Sequence, residues 1–564
     1  MHFFLTLNKN DNVSFSPFRE RDKLGSNVIS YLSLPLDLVT IHVVLERLQH
    51  RGFTNSWFNR SRRMDLKERI LKILKTLGWD DASVWENVYP LCTVVQNENK
   101  QQEAFNQFVF GKQLSPGDLR RLAQELKMDS EESIRLAHRN VEQGNAEWVP
   151  AVKPHGKGWQ CQRCGETDVE EWPSLHGLAA TCRSCESMGP CTSLDALYRD
   201  QRPLFRGSSE IFFQPHRILT EAQRLASDQV LAFMQDSAAE KALLWAACGA
   251  GKTEVCFPSA AWALKKGKSV LFAAPRQDVI HDVAPRLERN FPGYPLQVLT
   301  GTAKVRFQRG NMVLATTHQV LRFWRAFDVI FMDEMDAFPY HGDQALQWGL
   351  NHALRQGGKM LYLTATPSPE GLKAVQQGKM HLIRLPARHH RNPLPVPIWE
   401  KSYNSLHPDG CAESFYSLIE SLREQGPVLV FVPKISWLHP WIECFRCQFP
   451  SWRVDGSYSA DPSRSIKLEC LRQGRFDLFV STTILERGIT LSGIQVVVLE
   501  ADHSVYDERA LVQMAGRAGR TREHPDGRVI FISGRRTPAI NKAIKWIEEQ
   551  NRWALELGLI ERGD

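Results

Sequence analysis

The sequence predicts an α/β protein with two tandem parallel-sheet domains, preceded by a small cysteine-rich module and a mainly helical N-terminal region. Three features predict it. From about residue 206 onward, short β-branched or aromatic runs alternate with longer segments of helical character, and a second set then repeats the alternation. Cys161-x-x-Cys164 and Cys182-x-x-Cys185 stand just ahead of the first set. Upstream of residue 150 the patterning is helical, with Leu66, Ile70, Ile73, Leu74 and Leu77 on one face ahead of Gly78.

At 564 residues the chain exceeds what one hydrophobic core usually supports. We expect a mainly helical accessory region at 1–150, the cysteine module at 151–205, a first α/β domain at 206–390 and a second at 391–564. Within the accessory region a second helix is expected to start at Ser115 and Pro116 and to bury Leu119, Leu122 and Leu126. Lys67, Arg69, Lys72 and Lys75 lie opposite the first apolar stripe and read as a solvated face. A formal charge of +7 is small for this length, so it permits a phosphate-rich partner without arguing for one. The apolar stretch 2–7 is too short for a signal core, and 31–44 is interrupted by Pro35, Asp37 and His42, so a cytoplasmic protein is expected. There the 12 cysteines stay reduced.

Cys161, Cys164, Cys182 and Cys185 then read as four thiolates for one tetrahedral structural Zn2+. Cys191 is spare, or replaces Cys185. Four ligands close the coordination sphere, so the module is expected to position nucleic acid or dock a partner rather than to catalyse. Loss of a ligand is expected to unfold it locally, without disturbing the α/β domains, whose sheets bury their own surface.

In the first α/β domain the strand-like runs are 269–275, 311–317, 328–332 and 359–366; in the second they are 427–433, 477–483, 494–501 and 528–533. The joint falls at 388–397, where Pro393, Pro395 and Pro397 suit a stiff connector. Ala246-Ala247-Cys248-Gly249-Ala250-Gly251-Lys252-Thr253 follows an apolar run. Gly249 and Gly251 let backbone N–H groups close around phosphate, Lys252 meets the outer phosphates, and Thr253 can ligate Mg2+ at a helix N-terminus. Pro258 is expected to bend or shorten the helix that follows. Asp333-Glu334-Met335-Asp336 ends an apolar strand and offers Asp333 for the metal and Glu334 to activate water. Near the end of the second domain, Gln513-Met514-Ala515-Gly516-Arg517-Ala518-Gly519-Arg520 sets Arg517 and Arg520 on one side of a helical turn, as needed to reach a γ-phosphate across a domain interface.

Taken in order, these motifs resemble a superfamily 2 helicase across about residues 220–525. That resemblance implies two RecA-like domains behind a zinc-ribbon-like module. It implies that Gln223 reads adenine, that Gly488 lies at the nucleotide, and that Thr364 and Thr366, with Gln513, couple hydrolysis to domain movement. Pro275, Arg276, Thr300, Gly301, Thr317 and His318 in the first domain, with Pro433, Thr482, Thr483 and Arg487 in the second, match loops that grip the nucleic-acid backbone. Thr490 stands where many members have an Asp for the ribose, and Met335 replaces the small residue of the DEAD-box group. Pro275-Arg276-x-Asp278, the run Asp333 to Pro339, the run Thr483 to Gly488 and the run Gln513 to Arg520 together resemble the ComFA family of late-competence DNA-uptake ATPases, which is related to the primosomal replication-restart helicases. The resemblance leaves the N-terminal 150 residues outside.

It implies an ATP-dependent single-stranded DNA translocase or helicase that draws in transforming DNA, using ATP, Mg2+ and a structural Zn2+. Implied partners are single-stranded DNA, other competence proteins, the membrane DNA-uptake channel at the inner face of the cell membrane, and further copies of the chain. Two alternatives stand beside this reading. A duplex helicase of replication restart would carry its cysteines between the motor halves, and an ATP-gated DNA-binding scaffold would tolerate loss of Glu334, Arg517 or Arg520. An RNA substrate stays open, because backbone-gripping loops do not reveal the sugar.

Overall fold

The structure, a computed structural model, describes residues 3–8, 13–16, 28–31, 36–49, 69–77, 98–174, 177–204, 210–303, 307, 309–402, 413–483, 491–520, 524 and 526–560. Arg487 and Gly488 lie outside the described residues, as do Leu66 and Gly78. The N-terminal region is not helical alone. It opens with an antiparallel sheet of order β2-β1-β3, formed by β1 (Phe4–Asn8), β2 (Val13–Ser16) and β3 (Val28–Tyr31). These strands of four or five residues are too short for their alternation to mark them as strands in the sequence. Helices Leu38–Gln49, Glu98–Val109, Pro116–Glu125 and Ser130–Glu142 follow. The helix expected at Ser115 begins there: Ser115 and Asp118 form a reciprocal capping box, Pro116 takes the first turn, and Leu119 and Leu122 are buried.

A second antiparallel sheet has the order β4-β10-β5, from β4 (Gln113–Leu114), β5 (Ala146–Pro150) and β10 (Ala196–Asp200). β5 and β10 pair from Ala146↔Asp200 to Pro150↔Ala196. Between them the chain leaves to form two hairpins, β6 (Val152–His155) with β7 (Gly158–Cys161) and β8 (Val169–Ser174) with β9 (Gly177–Cys182). The cysteine module is therefore an insertion in an N-terminal sheet, and the expected break at residue 150 runs through one ladder.

In the α/β region the inner strands are largely apolar and buried, as sheets covered on both faces require, whereas the edge strands are more polar and partly exposed. The first sheet is parallel, with order β13-β14-β12-β15-β16-β11-β17: β11 (Lys241–Ala246), β12 (Val270–Ala274), β13 (Leu296–Leu299), β14 (Met312–Thr316), β15 (Phe327–Asp333), β16 (Leu354–Thr364) and β17 (His381–Leu385). The second, also parallel, has order β18-β23-β22-β19-β21-β20: β18 (Ile398–Lys401), β19 (Val428–Phe431), β20 (Val454–Ser457), β21 (Leu478–Ser481), β22 (Gln495–Leu499) and β23 (Val529–Ser533). Each expected run overlaps a strand, although β16 begins at Leu354, ahead of the expected 359–366. The helix Lys252–Lys265 passes through Pro258 without being shortened, because its flanking residues Val255, Cys256, Phe257, Ser259 and Ala260 are all buried and packing outweighs one lost backbone bond.

The C-terminal helix Pro538–Glu556 returns to the first half. Trp546 and Trp553 meet Trp245 of β11 edge-on, with ring centroids 5.7 and 5.1 Å apart. Asn551 donates its Nδ2 to Leu394 O (2.9 Å) and accepts from Leu394 N (2.7 Å), pinning the connector between the halves.

Candidate nucleotide cleft, nucleic-acid loops and metal centre

Two glycines make the turn after β11 possible. Gly249 (φ +79°) and Gly251 (φ +80°) both occupy the left-handed region, and Gly251 caps the helix that starts at Lys252. A Cβ on Gly251 would approach Gln223 Nε2 to 2.5 Å. Gln223 is itself held at both ends of its amide: Oε1 accepts from Thr220 N (3.0 Å) in a capping box, and Nε2 donates to Ala250 O (2.8 Å). It thus ties the glycine loop to the helix Glu221–Gln235.

β15 ends beside this loop. Lys252 Nζ lies 2.8 Å from Asp333 Oδ1, and Thr253 Oγ1 lies 3.5 Å from Asp333 Oδ2. Burial opposes the Lys252 charge, but Asp333, Glu334 and Asp336 outweigh it and hold the pKa above the usual lysine value. Glu334 adopts φ +53°, a left-handed conformation that costs a non-glycine residue roughly 1–2 kcal/mol. Its Oε2 is buried without a partner among the described residues. A strained acid with an unsatisfied oxygen, in the same cleft as the phosphate loop, fits a group whose partner arrives with substrate.

Gln223, Gly249, Gly251, Lys252, Thr253, Asp333, Glu334, Gln513, Arg517 and Arg520 line one cleft of about 1100 Å³ between the two halves. The donor set suits a magnesium nucleotide: Lys252 for phosphate, Thr253 and Asp333 for the ion. Arg520 comes from the second half, yet its Nε lies 3.7 Å from where a Cβ on Gly249 would stand. Behind the cleft, Asp336 accepts from Thr364 Oγ1 (2.6 Å) and Thr366 Oγ1 (2.5 Å), and Gln513 Nε2 donates to Thr366 Oγ1 at 3.1 Å. These bonds connect the turn after β15, which carries Glu334, to the helix preceding Arg517. Sequence reasoning gave roles to the two threonines and Gln513 but none to Asp336, which anchors both threonines.

The expected nucleic-acid residues follow the carboxyl ends of parallel strands. Pro275 and Arg276 follow β12, Thr300 and Gly301 follow β13, and Thr317 and His318 follow β14. Pro433 follows β19, and Thr482 and Thr483 follow β21. Arg276, Gly301, His318, Thr482 and Thr483 are exposed or half-buried, whereas Pro275, Thr300, Thr317 and Pro433 are buried. Arg464 of the second half pairs with Asp278, two residues after Arg276 in the first.

In the cysteine module Cys161, Cys164, Cys182 and Cys185 bring their sulfurs within 4.8 Å of one another. Cys161 to Cys185 is 3.7 Å and Cys164 to Cys182 is 3.6 Å. Zn–S bonds of about 2.3 Å in a tetrahedron need sulfur separations of about 3.8 Å, so these four residues fit a Zn2+. Cys191 is buried beside the cluster as a fifth thiol, its carbonyl accepting from Cys182 N at 2.9 Å.

The Helicase conserved C-terminal domain family matches residues 412–522, and the family described as Type III restriction enzyme, res subunit, matches 217–369. Competence protein ComFA of Bacillus subtilis (strain 168) is 35% identical over 419 residues, spanning 72% of this chain and 89% of that protein. Competence protein ComFA of Streptococcus pneumoniae (strain ATCC BAA-255 / R6) is 33% identical over 413 residues, spanning 72% of this chain and 94% of that protein. The chain belongs to the ComFA family. Among solved structures, S. cerevisiae Dbp5 bound to RNA and ADP BeF3 overlaps 58% of this chain and 86% of its own, at 15% identity and a TM-score of 0.44. This ComFA protein is an ATP-hydrolysing helicase of superfamily 2 with two RecA-like domains. No described helix is long and apolar enough to cross a membrane.

One expectation for this ComFA protein is corrected by its packing. The four cysteines share a continuous apolar cluster with Leu243, Leu271, Ile330 and Met332 on one face of the first motor sheet. Gly165 (φ +79°) of the cysteine turn lies so close to Trp348 that a Cβ would come within 2.3 Å of the indole. Trp348 in turn stacks on His352, with centroids 4.0 Å apart. The module therefore covers part of the motor, and local loss confined to it is not expected. Gly165→Ala should destabilise the motor domain by about 1–3 kcal/mol through overpacking, with the metal content of the purified protein unchanged. Calorimetry with metal analysis checks this; an unaltered melting temperature would mean that the module sits apart.

Proposed function

We propose that this ComFA-family protein is a single-stranded DNA translocase that uses ATP hydrolysis to help draw transforming DNA into the cell. The observation that carries the reading is the cleft itself: the first half supplies Lys252, Thr253, Asp333 and Glu334, and the second supplies Arg517 and Arg520. Hydrolysis in such a cleft depends on the halves meeting. Asp336, Thr366 and Gln513 link that meeting to the turn bearing Glu334.

In this reading Lys252 binds the outer phosphates, Thr253 and Asp333 hold Mg2+, and Glu334 orients the attacking water. A bound Mg2+ supplies charge neutralisation at the transferring phosphate. Arg517 and Arg520 stabilise the charge that develops there. Loops after β12, β13 and β14 on one half, and after β19 and β21 on the other, hold successive phosphates of the strand, so closing and opening shift one grip past the other. The zinc module braces the first half. The competence role follows from the likeness to the two competence proteins, and partners in uptake would be other competence proteins.

ATP turnover measured side by side with single-stranded DNA, duplex DNA and RNA tests the reading. Single-stranded DNA is expected to stimulate most. Equal or stronger stimulation by RNA would overturn the substrate assignment, and a preference for duplex would favour the replication-restart alternative.

A further inference from the structure

Arg388 is among the largest fully buried side chains of the protein, with 1% of its surface exposed. It stands three residues after β17, which pairs directly with the phosphate-loop strand β11, Ala246 opposite Leu385. Ala247 N donates to Leu385 O at 2.8 Å, so the first half fixes where Arg388 starts. Its guanidinium then reaches both sides of the cleft. Nε donates to Cys248 O of the phosphate loop at 2.8 Å. On the second half, Nη1 donates to Ala518 O at 2.8 Å and also to Gly519 O, and Nη2 donates to Gly516 O at 3.2 Å. His390 Nε2 adds a contact of 3.0 Å to Gly519 O.

All four acceptors are backbone carbonyls, and no carboxylate pairs with Arg388 among the described residues. Burial, with Arg520 nearby, pushes its pKa down to about 9. A buried cation without a counter-ion is costly to retain for stability alone, since an apolar side chain of similar volume would fill the space. The acceptors explain its placement. Gly516, Ala518 and Gly519 are the residues that alternate with Arg517 and precede Arg520, so binding their carbonyls sets the shape of the turn that presents both arginines. The approach is close: a Cβ on Gly516 would lie 2.4 Å from Cys248 Cβ.

We propose that Arg388 is a positioning residue for hydrolysis, a planar clamp that locks the Gly516–Arg520 turn against the phosphate loop and so aims Arg517 and Arg520 at the γ-phosphate. Five donors in a fixed fork can satisfy carbonyls on both halves at once, which an ammonium cannot. Arg388 touches neither the nucleotide-binding lysine nor the metal-holding aspartate, so binding and turnover separate when it is changed. The inference rests on the reading of Arg517 and Arg520 as the phosphate clamp.

The test uses the full chain with Arg388→Lys and Arg388→Gln, comparing ADP affinity, affinity for ADP with aluminium fluoride, and turnover with saturating single-stranded DNA. Both variants should bind ADP as the unaltered protein does. Both should lose affinity for the transition-state mimic and lose kcat by about a hundredfold, the scale of a misaimed catalytic group, with KM nearly constant. ADP affinity also reports folding, because the phosphate loop binds only when formed. Loss of ADP and mimic affinity in parallel would make Arg388 a structural residue and overturn the proposal, as would normal kcat in both variants. If Arg520→Ala also turns over normally, the phosphate-clamp reading has failed instead.

Discussion

Arg520→Ala is expected to lower DNA-stimulated ATP turnover by roughly a thousandfold, the scale of arginine-finger losses, with nucleotide affinity largely retained. The expectation follows from where the side chain comes from. Arg520 belongs to the second half, its Nε donates to Gly516 O at 2.7 Å within its own turn, and it reaches the wall of a cleft whose phosphate loop is built entirely by the first half. Removing it leaves Lys252, Gly249 and Gly251 in place. Arg520→Lys should not restore turnover, because a point ammonium cannot reproduce a planar fork. Steady-state hydrolysis with saturating single-stranded DNA, read beside direct nucleotide binding, checks both substitutions. Wild-type rates in both would remove Arg520 from the site.

Glu334→Gln should be the complementary variant. Glutamine keeps the size of the side chain and can occupy the same left-handed backbone, but it cannot accept a proton from water. Hydrolysis should fall by about two to four orders of magnitude, the range for a lost general base. Binding should persist, since Lys252 and Asp333 hold their 2.8 Å contact without it. The variant should therefore trap ATP and hold the halves together on DNA. A Glu334→Gln protein that hydrolyses normally would require another base.

Much of this site was legible because its chemistry is local in sequence. The glycine turn, the acidic strand end and the paired arginines each occupy a short run, and a buried parallel sheet writes its strands as uninterrupted apolar stretches. Thr220 and Gln223 form a capping box that was not read from the sequence, where Gln223 was implied only to read adenine. What escaped was either weakly patterned or distant. β18 and β20 are four-residue edge strands, Ile398–Lys401 and Val454–Ser457, whose polar residues hide the strand period. The N-terminal sheet is built from similarly brief pieces. Pairing of β5 with β10 spans the whole cysteine module, so no local signal could report it.

Arg388 was read as the start of a connector because nothing near it in sequence reveals its partners. Its acceptors are carbonyls, which carry no residue identity, and they lie across the domain interface. Asp336 was visible as part of the acidic motif, but its bonds to Thr364 and Thr366 appear only once β15 and β16 stand side by side. The cysteine spacing likewise pointed to the four residues that cluster in the structure while concealing that Gly165 lies against Trp348. Spacing specifies ligands, whereas a packing surface is decided by the fold.

The central claim is that closure of the two halves around ATP moves the protein along single-stranded DNA. Release of streptavidin from a biotinylated single-stranded oligonucleotide tests it most directly, with the biotin placed at one end or the other. The account predicts release that requires ATP hydrolysis, is faster from one end than from the other, and is abolished by Glu334→Gln. ATP turnover stimulated by single-stranded DNA without release from either end would contradict it and would leave an ATP-gated scaffold in place of a motor.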